Sequence, residues 1–145
     1  MVINKLTGKI EFDSRLILSP DFKKGDLKTI ADKFDVKPLI SNAGWESFGV
    51  GPFENRDGLF GLVVYFFGDS IEKIHLCYIF PDEKGSWDEW SYDLETERRK
   101  IHERFLVSML GNDKYYGSWG SVESLYDEKG SRSFICVTYR REQSE

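Results

Sequence analysis

Two pairs of segments carry the clearest strand patterns. Leu59 to Phe67 is apolar at both parities, and Ile71 to Phe80 returns with Ile74, Leu76, Tyr78 and Phe80 on one face. Gly68-Asp69-Ser70 separates them, so a β-hairpin is predicted, its first strand central and covered on both faces. Trp119 to Tyr126 and Ser133 to Tyr139 predict a second hairpin. Ile135, Val137 and Tyr139 alternate within it, and Gly130 suits its connecting loop. Lys9 to Leu18 predicts two short strands around an Asp13-Ser14 turn. Trp45 to Phe53 predicts an edge strand, loosened by Gly49, Gly51 and Pro52.

Two segments change period. At ~100° per residue, Trp87, Trp90, Leu94, Ile101, Phe105 and Met109 fall in one stripe, predicting a helix from about 87 to 110 that packs this stripe on the sheet. Ser86 and Glu89 have capping-box spacing and Gly111 supplies a left-handed stop. Arg98 lies inside the stripe and His102 at its margin. The guanidinium is expected to snorkel along the sheet, with an ion pair to Asp127 or Glu123 as the alternative. Leu27, Ile30, Ala31 and Phe34 predict a short helix near 26–34, closed by Pro38. The expected fold is α+β: one domain over 1–145, an antiparallel sheet of about six strands packed against one long helix.

Composition narrows the function classes. Aromatic residues make up 15% of the chain, which favours strands. The formal net charge is −5, and residues 82–97 alone carry seven acids and one base. Without a clustered basic footprint, nucleic-acid binding is not expected. No run approaches the ~18 apolar residues of a membrane span, and the start has no apolar run of signal-peptide length. Cys77 and Cys136 read as two reduced thiols in a cytoplasmic protein.

The chemistry-bearing residues form no catalytic set. His75 and Cys77 share a strand face, but a closed zinc site needs about four ligands and no second pair has ligand spacing. Nothing local places a base beside either thiol. The glycines form neither a dinucleotide fingerprint nor a phosphate loop. No catalytic residue, metal or cofactor is predicted. Asp82, Glu83, Asp93, Glu95 and Glu97 instead predict an acidic ridge for a protein partner, and Tyr115, Tyr116 and Trp119 either a set of aromatic anchors for the same partner or, equally, a cap on the end of the sheet.

The string Trp87-Asp88-Glu89-Trp90-Ser91, followed by Trp119-Gly120 and Ser124-Leu125-Tyr126-Asp127, resembles small bacterial proteins that share this helix start and C-terminal hairpin. In size and acidic character the chain is similar to bacterial immunity proteins. That resemblance implies a cytoplasmic, non-enzymatic protein that neutralises a cognate toxin, its acidic ridge meeting a basic toxin domain. The alternative expectation is a ligand-binding domain or small enzyme with its pocket between sheet and helix.

Overall fold

The computed structural model describes residues 1–81, 83 and 92–140. In chain order the elements are β1 (Val2–Ile3), β2 (Ile10–Asp13), β3 (Leu16–Leu18), a 3-10 helix (Lys24–Thr29), β4 (Val36–Asn42), β5 (Trp45–Asn55), β6 (Gly58–Phe67), β7 (Ser70–Ile79), α1 (Tyr92–Leu110), β8 (Lys114–Gly117), β9 (Gly120–Asp127) and β10 (Arg132–Tyr139). The fold is α+β. Seven strands form one antiparallel sheet in the order β4-β5-β6-β7-β10-β9-β8, and β1, β2 and β3 form a second, small sheet.

Both predicted hairpins form. The first pairs Leu62 with Leu76 and Val64 with Ile74, which puts branched side chains side by side on one face. The second pairs Tyr139 with Gly120 through Arg132 with Asp127. Gly120 is needed at its corner: with φ at 146°, a Cβ there would lie 1.8 Å from the Thr138 carbonyl oxygen.

One face of the large sheet, here the inner face, builds the core. Phe60, Leu62, Val64, Ile74, Leu76, Ile135 and Val137 cluster there with Phe12, Leu16 and Leu18 of the small sheet. Leu27, Ile30 and Phe34 close one side of this cluster, and Leu106 and Leu110 of α1 the other. Residues of opposite parity, such as Gly61, Val63, Tyr65 and His75, are only half-buried. The expectation that β6 is covered on both faces is therefore corrected. Among the described residues, the small sheet, the 3-10 helix and α1 all join the inner-face cluster, and none packs on the outer face.

Other expectations shift as well. The sheet has seven strands rather than about six. β5 lies between β4 and β6, so the edge belongs to β4, a strand that the pattern hides. Six of the seven β4 residues are exposed, and Pro38 sits in it, as prolines do on edge strands. The short helix is a 3-10 turn beginning at Lys24, with Leu27 buried on it and Ile30 and Phe34 buried just beyond.

The long helix is present but differently phased. Its expected first turn, with Ser86, Trp87, Glu89 and Trp90, lies outside the described residues. Leu94, Ile101, Phe105 and Met109 are only half-buried, while Glu95, Arg98, His102, Leu106 and Leu110 are buried. The buried line is rotated by about 100° from the apolar stripe, roughly one residue step. Its first half is polar, and that polarity explains the rotation.

Candidate partner-binding surface

Hydrogen bonding between β7 and β10 runs from Lys73↔Thr138 to Leu76↔Ile135 and then stops. Beyond that point both strands would carry unpaired backbone groups into the interior, a cost of about 1–3 kcal/mol each. Three α1 side chains, spaced i, i+3 and i+7, take their place. His102 Nε2 accepts the Tyr78 N–H at 3.0 Å, and Arg98 Nη1 donates to the Tyr78 carbonyl. Glu95 Oε1 accepts the Ser133 N–H at 3.3 Å, and the Ser133 hydroxyl donates to the Glu95 carbonyl at 3.1 Å. The helix is thus a polar wedge between two separating strands, and its sheet-facing line must be polar there.

Arg98 is 3% exposed, Glu95 2% and His102 0%. A buried guanidinium needs compensating charge. Arg98 Nε donates to Glu95 Oε2 at 2.8 Å and Nη1 to Glu83 Oε1 at 2.9 Å, while Nη2 pairs with Glu83 Oε2. The guanidinium therefore does not snorkel as expected: the ion-pair alternative holds, with Glu95 and Glu83 in place of Asp127 or Glu123. Burial works against ionisation of Glu83, but the hydrogen bonds and charge of Arg98 outweigh it and hold its carboxyl below the usual range. Burial, with the Arg98 charge adding to it, pushes His102 down to about 4. The ring is therefore neutral at pH 7. With Nε2 accepting, its proton sits on Nδ1, which finds no partner among the described residues.

The wedge opens onto the outer face. There the sheet carries a cleft of about 580 Å³ between the β6–β7 hairpin and the β9–β10 turn, with Arg98 and Glu83 at one end. Val63, Ile79 and Phe134 give it apolar walls. His75 stacks on Phe134 with ring centroids 4.1 Å apart, and its Nδ1 lies 3.3 Å from the Tyr65 hydroxyl. Burial, then the nearby Lys73 charge, lowers His75 to about 4, so this wall is uncharged. Cys77 Sγ lies 3.6 Å from the Ser133 carbonyl oxygen. Neither cysteine is bridged, and burial pushes both thiols up, leaving them protonated and weakly nucleophilic at neutral pH.

The expected partner-binding residues do not form one surface. Asp82 lies outside the described residues. Glu83 and Glu95 are committed to Arg98, so two members of the acidic ridge are internal ion-pair partners instead. Asp93 and Glu97 are exposed, Glu97 with Lys100 at 3.3 Å. Among the aromatics, Trp119 is buried: its Nε1 donates to the Lys5 carbonyl at 2.7 Å and its ring lies across Gly8. Tyr115 stacks on Trp119 and its hydroxyl donates to the same carbonyl. These two rings fasten the amino-terminal segment to the sheet, so of their two readings they act as a cap on the sheet and not as surface anchors. Tyr116 is exposed, its hydroxyl 3.1 Å from Glu123.

The sequence reading missed Val63, Tyr65, His75 and Phe134 as a surface. The available signal was the second parity of the two hairpins, aromatic and aliphatic but broken by Gly61, His75 and Cys77. Among the described residues no group of three or more His, Cys, Asp or Glu side chains is placed to hold a metal ion, and no helix is long and apolar enough to cross a membrane.

No protein-family model and no curated protein matches the chain. Its fold is shared with a chain of the solved structure of Rhs1-CT in complex with the cognate immunity protein RhsI1. The TM-score is 0.64 at 14% sequence identity, over 97% of this chain and 87% of that one. At that identity the likeness is one of fold.

Proposed function

We propose that this chain is an immunity-type protein that binds a toxin domain and blocks it, acting in the cytoplasm of a bacterial cell. The observation that carries this reading is the extent of the shared fold, nearly the whole chain against a chain from a complex with an immunity protein. The outer sheet face supports it, since among the described residues nothing packs on it, and its apolar cleft suits a protein partner. Asp93 and Glu97, with Asp82, remain the residues proposed to steer a basic toxin domain.

A second reading, a small-ligand binding domain or enzyme, has one observation in its favour: His75 and Arg98 line the outer cleft. That cleft lies on the outer face of the sheet, whereas among the described residues Phe60, Leu106 and the wedge pack between sheet and helix. Arg98 is fully engaged with Glu83, Glu95 and the Tyr78 carbonyl, which leaves it little capacity to grip a charged substrate.

The test is to sequence the gene's neighbourhood and co-express the protein with a toxin domain encoded beside it. Growth should be restored and a complex should elute as one species on size exclusion. A toxin that stays lethal and unbound at equal expression would refute the proposal.

A further inference from the structure

We propose that the outer-face cleft receives an uncharged aromatic or branched aliphatic side chain of the toxin domain, as the buried anchor of the complex. The inference rests on the immunity-type reading and adds the surface and the chemistry of its occupant. The pairing of the cleft's own polar groups selects that chemistry. At its end the Arg98 guanidinium is already held by the Glu83 and Glu95 carboxylates, the Tyr65 hydroxyl and His75 Nδ1 face each other, and the His75 ring carries no charge. An incoming ammonium or carboxylate would lose its hydration and find these groups already paired, a cost that an apolar group avoids. The walls of Val63, Ile79 and Phe134 reward the apolar group. At the rim, Arg132 stands opposite Asp127 in the β9–β10 ladder, so one charge of each sign faces the other. This is the arrangement of an interface hot spot, a desolvated pocket inside a polar surround.

Gly61 gives a clean handle. It lines the cleft opposite Cys77 in the ladder, has no positive φ, and a Cβ added there would meet only Ile79 Cδ1, at an ordinary 3.6 Å. A Cβ therefore fits at position 61 without backbone strain, Gly61→Leu projects its side chain into the cleft, and replacing a mid-strand glycine does not weaken the strand.

The experiment has two arms. In the first, indole, benzamidine and benzoate are titrated into the isolated protein at millimolar concentration, with amide chemical shifts as the readout. Indole should shift Gly61, Val63, Cys77 and Ile79, the two ions should bind at least tenfold more weakly, and Gly61→Leu should abolish the shifts. Tighter binding of either ion, or no binding by any of the three, overturns the proposal. In the second arm, the toxin domain from the co-expression test is bound to wild type and to Gly61→Leu. Loss of at least a hundredfold in affinity, with an unchanged or higher melting temperature, supports the anchor. Unchanged affinity overturns it, and indole binding alone would then mark a small-molecule site. A toxin that wild type fails to bind refutes the immunity reading instead, and the first arm still reports on the cleft.

Discussion

At the scale of single residues, the wedge concentrates the energetic risk of the fold. Arg98 holds two carboxylates and one carbonyl, so Arg98→Met strands Glu83 and Glu95 as unpaired acids. Breaking a buried pair in this way costs about 3–5 kcal/mol, measurable by urea unfolding of the variant. His102 sets the pH behaviour. Its folded value, about 4, lies below the 6.5 of a free histidine. The unfolded chain therefore binds the proton first as pH falls. Stability from the neutral ring is complete above 6.5 and drains between 6.5 and 4, at up to about 1.4 kcal/mol per pH unit. His75 adds to the same window, discounted for its partial exposure. Glu83 extends the loss downward, because its depressed carboxyl contributes above the ordinary carboxylate range and loses that contribution as pH falls through its folded value. Urea midpoints at pH 7.5, 6 and 5 should fall steadily. His102→Gln, which keeps an acceptor for Tyr78, should flatten the upper part of that fall.

At the scale of elements, α1 shows what a sequence pattern carries and what it leaves out. Both hairpins were legible, β7 and β10 because half-buried strands write their burial as alternation, which Leu76 and Val137 obey, and β6 because its unbroken apolar run, with Leu62 and Val64, is bounded by turns. The helix was legible by length and spacing but not by phase. Its sheet-facing line reads Glu95, Arg98, His102, Leu106, Leu110, and only the last two are apolar. The determinant is the separation of β7 from β10, a tertiary event that leaves no local mark in residues 92–110. β4 was missed for the opposite reason, since an exposed edge buries almost nothing and needs no pattern. The phase can be checked by truncation. Leu106→Ala should cost about 2–5 kcal/mol because the side chain is fully enclosed. Leu94→Ala and Phe105→Ala should cost less, their side chains being half-buried. Equal losses at positions 94 and 106 would return the helix to the phase read from the apolar stripe.

At the scale of the whole molecule, charge and shape lie on different surfaces. With Glu83 and Glu95 internal, the ridge keeps Asp93 and Glu97 on exposed α1, while the apolar cleft lies on the outer face of the sheet. Long-range steering and short-range anchoring are then separable. The double variant Asp93→Asn, Glu97→Gln should slow association with a basic toxin domain two- to tenfold at low salt and leave dissociation and folding stability nearly unchanged. Stopped-flow rates at two salt concentrations would decide this. A salt-independent effect, or none, removes the ridge from the encounter.

The Tyr78 amide has a further consequence, in time. Its neighbours in β7 exchange hydrogen with solvent only when two strands part, but this N–H is held by an imidazole that belongs to α1. Its exchange rate is therefore a clock for the helix lifting off the sheet, an opening that need not involve the rest of the ladder. In native-state deuterium exchange, the Tyr78 signal should fade on the schedule of the amides of α1 and ahead of those of Leu76 and Ile74. A toxin domain seated in the cleft that steadies the wedge from the other side of the sheet would slow that one clock. If the cleft is occupied in that way, the Tyr78 amide reports it from a backbone position that no partner needs to touch.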